Sequence, residues 1–186
     1  MNAAHNTFVT EFDTPLGLMT AAASDEGVCL LEFNDRRALP TEMHAVERRF
    51  GPASRDENEP LRRLREELEA YFAGALREFG VPLVVEGTPF ERMVWERLRA
   101  IPYGRTRSYG SIANELGRAG AQRAVGRANG RNRIAIVIPC HRVIEASGNL
   151  HGYGGGIVRK RFLLELEQGV CGHESGMLWP PALAAV

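Results

Sequence analysis

A change of pattern between residues 81 and 91 constrains the fold most, because it divides the 186-residue chain into two parts. Residues 81–88 (VPLVVEGT) predict a final strand and a linker. Thr88 and Glu91 then have the spacing of a capping box, and Pro89 stands at the first helical position, so a helix should begin at Pro89. We therefore expect an N-terminal domain, a C-terminal domain and a tail, over residues 1–87, 88–170 and 171–186.

The same boundary separates opposite charges. Residues 1–90 carry 9 Arg against 16 Asp and Glu, a net charge of −7, whereas residues 91–186 carry 14 Arg and Lys against 7 Glu, a net charge of +7. A basic half is typical of nucleic-acid binding, although the two halves could equally attract each other across a domain interface. The net charge of zero for the whole chain therefore excludes neither interpretation.

The N-terminal part predicts a mixed α/β domain. Apolar and polar residues alternate between residues 8 and 33, with turn signals between the runs, which indicates a small antiparallel meander. Residues 41–50 predict a short helix, and residues 61–79 predict a longer one with a leucine and aromatic stripe at helical spacing. Such a stripe is more often core than a binding site.

The C-terminal part predicts mostly helices. The helix from Pro89 should end before Ile101, which precedes a proline. Ser108 caps a short helix that Gly117 closes, and a second short helix follows over about 121–129, so the pair predicts a helix-turn-helix. The alternative is an ordinary αα-hairpin, but arginines in or beside the second helix favour nucleic-acid contact. They are Arg118, Arg123, Arg127, Arg131 and Arg133. Because Ala and Gly make up most of the rest of this helix, we expect it to read the shape of DNA rather than base edges.

Cys140 is the candidate nucleophile. Residues 134–138 (IAIVI) predict a buried strand, and Cys140 follows at its exit, where a rigid element would hold a reactive group. Three basic neighbours in the sequence, His141, Arg142 and Arg133, should lower the pKa of the thiol from about 8.5. Many buried cysteines are nevertheless inert, which is our interpretation of Cys29. Since adjacent strand residues point to opposite faces, His141 would need a turned backbone or a water to act on the thiol. An orienting carboxylate would come from Glu145, Glu165 or Glu167.

The remaining segments are less informative. Residues 152–156 (GYGGG) present backbone N–H groups and one aromatic ring, and a last helix should follow over about 157–168. Cys171 and His173 in the tail have no matching pair, so we expect no metal site there. No stretch approaches the roughly 18 apolar residues of a membrane span, and the N-terminus lacks the layout of a secretion signal. We therefore expect a cytoplasmic protein that does not bind a membrane.

Together these motifs resemble one family. The segment from Thr88 to about Gln168 is similar to the O6-alkylguanine-DNA alkyltransferases, also called methylated-DNA–protein-cysteine methyltransferases. The resemblance rests on their active-site signature, IPCHRVI, at 138–144 and on four supporting strings. These are GTPF at 87–90, RSYG at 107–110, RAVGRANGRN at 123–132 and GYGGG at 152–156. Residues 1–87 resemble the family only loosely, through DTPLG at 13–17 and the strand that follows.

The resemblance implies a fold and a reaction. The fold is an α/β N-terminal domain of ribonuclease-H-like topology, with an antiparallel sheet and helices, joined to a mostly α C-terminal domain with a helix-turn-helix. The reaction transfers the alkyl group from O6-alkylguanine in double-stranded DNA to Cys140, irreversibly and once per molecule, after the nucleotide is flipped out of the duplex. The resemblance implies no cofactor, and we expect a monomer; whether several copies bind DNA cooperatively stays open.

The resemblance also implies roles for individual residues. Glu167 orients His141, which activates Cys140 through a water, and Asn132 braces the turn between the recognition helix and the strand. Tyr109 crowds the phosphate and can donate a proton toward the leaving guanine. The helix approaches DNA from the minor groove, and one arginine enters the base stack in place of the flipped nucleotide. Small or basic neighbours on the same helix also contact DNA. These are Arg123 and its neighbours Ala124, Arg127 and Ala128. The base pocket is formed by Val143, Tyr153, Gly154 and Gly155.

Two departures from the family pattern matter. Some members bind a structural zinc through N-terminal Cys and His residues, but this chain offers only His5, Ser24 and Cys29 there, so we predict no metal site. Some members have a serine after the loop tyrosine, where this chain has Gly154. We expect backbone N–H groups to substitute for that hydroxyl, and a more open loop to admit larger alkyl groups.

Two other functions are alternatives. A lesion-sensing DNA-binding protein or regulator without transferase activity would have the same fold, but such relatives replace the reactive cysteine, and the family's methylation-sensing regulators carry an extra cysteine-rich zinc domain. A Cys-His hydrolase would use Cys140, His141 and Glu167, but nothing in the sequence indicates an acyl substrate.

Overall fold

The N-terminal half is built on a four-stranded sheet. The computed structural model, which describes residues 7–150 and 152–169, orders the strands β3-β2-β1-β4. The first three strands form the antiparallel meander expected from the sequence, and the fourth joins the first in parallel. The strands are β1 (Thr7–Phe12), β2 (Met19–Ser24), β3 (Gly27–Phe33) and β4 (Ala53–Ser54).

Two helices accompany this sheet, α1 (Leu39–Phe50) and α2 (Glu59–Phe72). The expectation that the second helix continues to residue 79 is wrong. Gly74 adopts a φ of 74°, and the backbone N–H groups of Gly74 and Ala75 donate to the carbonyls of Tyr71 and Ala70, which is a Schellman motif. The later stripe residues, Leu76 and Phe79, still pack against the core, but from irregular chain.

The C-terminal half is mainly helical. Its elements are α3 (Pro89–Arg99), β5 (Arg107–Ser108), α4 (Tyr109–Glu115), α5 (Gln122–Gly130), β6 (Val143–Ile144) and α6 (Ile157–Glu167). The predicted start of α3 is confirmed, because Thr88 and Glu91 form both hydrogen bonds of a capping box. Helices α4 and α5 form the predicted helix-turn-helix pair, and Gly117, with a φ of 66°, closes α4. Trp95 on α3 anchors α5 by donating from Nε1 to the carbonyl of Ala128 at 2.9 Å.

Residues 134–138 do not form the predicted strand. Ile134 makes a single bridge with Leu31, and the chain then turns, with Ile138 N–H donating to the carbonyl of Ile134 at 3.0 Å. Ile136, in the middle of the turn, has a φ of 70°. The run is nevertheless buried, because a turn packed in the core hides β-branched side chains as well as a strand does.

The outer edge of β3 joins the two halves. The expected strand within 81–88 is reduced to one bridge, between Leu83 and Val28. Further along the same edge, Leu31 N–H donates to the carbonyl of Arg133, and Ala135 N–H donates to that of Leu31, both at 2.8 Å. One hydrophobic cluster accordingly contains buried residues from both halves. None of the helices in the described ranges has the length and apolar character needed to cross a bilayer.

Candidate active site

Cys140 begins a short 3-10 helix, Cys140–Arg142, rather than standing at the end of a strand. Cys140 is buried, with only 6% of its surface exposed. Asn132 donates from Nδ2 to Cys140 Sγ at 3.1 Å and to the carbonyl of Ile138 at 2.8 Å, while its Oδ1 accepts from Ile134 N–H at 3.0 Å. One amide side chain thus fixes both the buried turn and the sulfur that follows it.

Burial raises the pKa of the Cys140 thiol to about 11, although the hydrogen bond from Asn132 opposes this shift. The positive charges of Arg36 and Lys160 also lower this pKa, and the Glu32 carboxylate raises it. The expectation that basic neighbours in the sequence lower it overall is therefore wrong. The thiol is protonated at neutral pH and needs a proton acceptor before it can attack.

His141 is placed to be that acceptor. The imidazole is fully buried, and its Nε2 lies 2.7 Å from Glu167 Oε1. Burial lowers the pKa of His141, so the ring is neutral near pH 7. Because a carboxylate only accepts hydrogen bonds, the proton resides on Nε2. The other nitrogen, Nδ1, has no hydrogen-bond partner among the described residues, so its lone pair can take a proton.

Glu167 holds the imidazole and is itself held by three other residues. Arg142 donates to it from Nε at 2.8 Å and from Nη2 at 2.9 Å, and the Tyr71 hydroxyl and Gly104 N–H donate at 2.7 and 3.1 Å. Although burial raises the pKa of Glu167, the hydrogen bonds from His141 and Arg142 outweigh it and lower the pKa to about 2. The carboxylate therefore stays ionised.

The sequence does not indicate these supporting partners. The helical stripe predicts only a core position for Tyr71, and the hydroxyl of a tyrosine in such a position is the one signal of a polar partner, since a buried Tyr O–H usually needs one. Arg142 was interpreted as a charge acting on the thiol, whereas its guanidinium binds Glu167 and the carbonyl of Ile101. Lys160 on α6 is also fully buried, and its Nζ donates to the carbonyl of Val143 at 2.6 Å.

The glycine-rich loop covers the thiol. Tyr153, Gly154 and Gly155 line a cavity of about 10 Å³ that Cys140 also lines. The fourth residue expected in the base pocket, Val143, is fully buried and does not line this cavity. Three of the four sequence-predicted pocket residues thus line one cavity with Cys140, and Val143 is buried outside it.

The second helix of the helix-turn-helix presents a basic surface. Arg123 and Arg127 are exposed, and neither forms an ion pair within the part of the chain that the structure describes. Ala124 is half-buried beside them. Ala128, in contrast, is only 2% exposed and lies on the side of α5 that faces α3, so the structure does not support its expected contact with DNA.

A concavity of about 470 Å³ separates α5 from the turn around Glu145. Tyr109 lies in its wall together with Arg123, Gly126 and Gly152. A Cβ added to Gly126 would lie 3.8 Å from the tyrosine ring, and one added to Gly152 would lie 3.8 Å from its hydroxyl. Burial raises the pKa of Tyr109, so its hydroxyl keeps its proton.

Part of the charge asymmetry is used in a contact between the two halves. Arg159 on α6 pairs with Asp35 of the N-terminal half at 2.8 and 2.9 Å, so opposite charges do meet across the interface. That contact leaves the arginines of α5 exposed.

Among the described residues no group of three or more His, Cys, Asp or Glu could hold a metal ion. His5, Cys171 and His173 lie outside the described residues.

Two family models match the chain. Residues 8–85 match the ribonuclease-like domain of 6-O-methylguanine DNA methyltransferase, and residues 89–169 match the DNA-binding domain of the same family. The expected combination of an α/β ribonuclease-like domain and a helical DNA-binding domain is therefore confirmed.

Named relatives and solved structures agree with these models. A methylated-DNA–protein-cysteine methyltransferase from Mycolicibacterium paratuberculosis is 49% identical over 158 residues, covering 84% of this chain and 89% of that protein. One from Methanosarcina acetivorans is 47% identical over 157 residues, covering 84% and 95%. The crystal structure of Mycobacterium tuberculosis O6-methylguanine methyltransferase superposes with a TM-score of 0.76 at 44% identity, covering 90% and 96%. That of Mycobacterium tuberculosis OGT in complex with DNA also gives 0.76 at 44% identity, covering 88% and 93%. The similarity extends over both halves, and the chain belongs to the methylated-DNA–protein-cysteine methyltransferase family.

Proposed function

We propose that this protein repairs DNA by moving the alkyl group of O6-alkylguanine onto Cys140, once per molecule. The observation that carries the proposal is the order of two held side chains: the buried Cys140, whose Sγ accepts from Asn132, directly precedes His141, whose Nε2 is bound to Glu167 and whose Nδ1 has no partner among the described residues. Relatives named methylated-DNA–protein-cysteine methyltransferase and a neighbour solved in complex with DNA support the substrate.

The reaction follows from the properties of these groups. A water between Cys140 and His141 carries the thiol proton to Nδ1, and Glu167 stabilises the resulting imidazolium. The thiolate attacks the alkyl carbon; a carbon–sulfur bond forms as the carbon–O6 bond breaks, and the electron pair leaves with the guanine. Because its pKa is raised, the Tyr109 hydroxyl is protonated and can donate a hydrogen bond toward the guanine ring as negative charge develops there. The product is a thioether that no neighbouring group can cleave, so each molecule reacts once.

The guanine must leave the duplex to reach a buried sulfur, at a cost of a few kcal/mol. Arg123 is exposed on a helix otherwise rich in Ala and Gly, which suits close approach to the minor groove and insertion into the gap left by the flipped nucleotide. The concavity between α5 and the turn around Glu145 borders Gly152, which directly precedes the loop residues that line the cavity beside Cys140.

Organisation and location form part of the proposal. Residues 1–87 would act as a supporting domain, residues 88–170 as the DNA-binding and catalytic domain, and residues 171–186 as a tail. The protein would act as a monomer. Because Cys140 must remain reduced to react, we place the protein in the cytoplasm, where thiols are kept reduced.

One experiment tests the function. The protein is incubated with a duplex containing O6-methylguanine and analysed by mass spectrometry. We expect one added methyl group on the peptide that contains Cys140, with no further reaction after one equivalent, and no adduct in Cys140→Ser. DNA binding without an adduct would instead favour the lesion-sensing alternative, and more than one turnover would overturn the single-use reaction.

A second experiment tests the role of Arg123. Arg123→Ala should slow transfer from duplex DNA more than transfer from the free base, since only the duplex requires flipping. Arg118→Ala is the matched control, because it removes an arginine that is also exposed but lies in the turn before α5. Equal losses on both substrates would contradict insertion.

A further inference from the structure

Arg36 lies close to the thiol although it belongs to the N-terminal half. Its side chain is 12% exposed, and it reaches the end of α5, where it donates to the carbonyl of Gly130 at 2.9 Å and to that of Asn132 at 3.3 Å. Two carboxylates hold it from the N-terminal side: Glu32, through an ion pair with Nη1, and Glu42, at 3.4 Å from Nη2. The guanidinium is therefore fixed between the two halves.

The same guanidinium occupies the space beside Gly154. A Cβ added to Gly154 would lie 3.0 Å from Cζ of Arg36 and 3.2 Å from Nε and Nη1. Gly154 does not have a positive φ, so the backbone there accepts other residues. The obstacle to a side chain is Arg36 itself, contrary to the open loop expected from the sequence.

The cavity beside the sulfur is correspondingly small. Arg36 and Glu32 form its wall on one side, and Tyr153 and Gly154 form it on the other. Its volume of about 10 Å³ holds roughly one water molecule, far less than an alkylated guanine requires. The buried hydroxyl of Tyr153 has no hydrogen-bond partner among the described residues, so this wall also contains an unused polar group.

We propose that Arg36 determines which alkyl groups Cys140 accepts, because its guanidinium limits the cavity that Gly154 and Cys140 also line. The inference rests on the proposed function. A methyl group needs little room at the sulfur, whereas a benzyl group requires the guanidinium to move away from Gly130 and Asn132. Glu32, 1% exposed, resists that movement because its carboxylate would be left buried without its cation.

Single-turnover rates on two duplexes test this role. The duplexes contain O6-methylguanine or O6-benzylguanine, and the quantity compared is the ratio of the benzyl rate to the methyl rate. Arg36→Ala should raise this ratio at least tenfold, whereas Arg37→Ala, which removes the exposed neighbouring arginine, should leave it within twofold. An unchanged ratio in Arg36→Ala would overturn the proposal.

The contact with Gly154 provides a double-mutant cycle. Gly154→Ala alone should lower the ratio about fivefold, because its Cβ meets the guanidinium. The same substitution in the Arg36→Ala background should change the ratio by less than twofold. Equal effects of Gly154→Ala in both backgrounds would show that the loop acts independently of Arg36. Because Arg36→Ala leaves Glu32 without its cation, Glu32→Gln/Arg36→Ala is measured in parallel, with thermal unfolding to verify that each variant folds.

A readout without DNA separates this proposal from the proposed function. Cys140 is alkylated with iodoacetamide or with N-benzyl-2-iodoacetamide, in which the thiolate displaces iodide, and the modified peptide is quantified. Arg36→Ala should raise the rate for the benzyl reagent relative to the small one at least fivefold. If the unmodified protein fails to react with methylated DNA, the proposed function fails, while this ratio still decides the role of Arg36.

Discussion

The substitution Glu167→Gln removes the charge at the centre of the hydrogen-bond network while keeping the size of the side chain. In the structure, burial raises the pKa of Glu167 and the bonds from His141 and Arg142 lower it to about 2, against an ordinary 4.5. At about 1.4 kcal/mol per pKa unit, the difference gives the carboxylate about 3 kcal/mol of stabilisation at pH 7. The side chain is 0% exposed, so solvent does not screen this contribution.

The direction of the pH dependence follows from the lowered pKa. The stabilisation is fully present above the unfolded-state value of 4.5 and is lost as the pH falls toward 2. We therefore expect Glu167→Gln to lower the free energy of unfolding by about 3 kcal/mol at pH 7, but by less than half of that at pH 3. In a chain of this size the loss at pH 7 corresponds to a fall in Tm of about 6–12 °C.

Urea denaturation followed by circular dichroism at pH 7, 4 and 3 measures this difference. The matched control is Glu165→Gln, two residues earlier on α6, since the side chain of Glu165 makes no hydrogen bond or ion pair within the described residues. A loss below 1 kcal/mol at pH 7, or one that is the same at pH 7 and pH 3, would refute the reasoning.

Three further results are expected. Burial raises the pKa of Cys140 to about 11, so its alkylation by iodoacetamide should increase about tenfold per pH unit from pH 7 to pH 10; a plateau below pH 9 would contradict the buried, protonated thiol. Asn132→Ala removes the bonds to Cys140, Ile134 and Ile138 and should cost about 2–3 kcal/mol in urea denaturation, whereas a loss below 1 kcal/mol would mean that the turn does not depend on it. Thr88→Ala breaks the capping box of α3 and should cost about 1 kcal/mol, with Thr88→Ser restoring most of it; equal stability of the two variants would exclude a role for the hydroxyl.

Local signals in the sequence predicted those parts of the fold that depend on local chemistry. Thr88, Pro89 and Gly117 placed helix ends correctly because capping and positive φ are decided by neighbouring residues. Residues 134–138 were mistaken for a strand because an apolar, β-branched run looks the same in a strand and in a buried turn. Ile136 in particular has a positive φ, which β-branched residues rarely adopt, so its residue type could not predict this turn.

The candidate site shows a similar division. For Cys140, His141 and Glu167 the residue types and the family signature carry the prediction, and the structure contains the expected contact between His141 and Glu167. The sequence did not predict the protonation state of the thiol, because that state depends on burial. Nor did it predict that Arg142 binds Glu167 rather than the sulfur. Arg36 and Tyr71 gave no local signal, since each reaches the site from elements far away along the chain.

That distance affects when during folding the protein becomes reactive. The bonds from Tyr71 to Glu167 and from Arg36 to Asn132 each join residues 96 positions apart. Contacts of such long range form late, because the entropy of closing the loop must be overcome first. The long-range hydrogen bonds to the Glu167 carboxylate and to the backbone carbonyl of Asn132 are therefore made only when the two halves have docked. The thiol of Cys140, which reacts only once, therefore has its full set of supporting contacts only after the whole chain has folded.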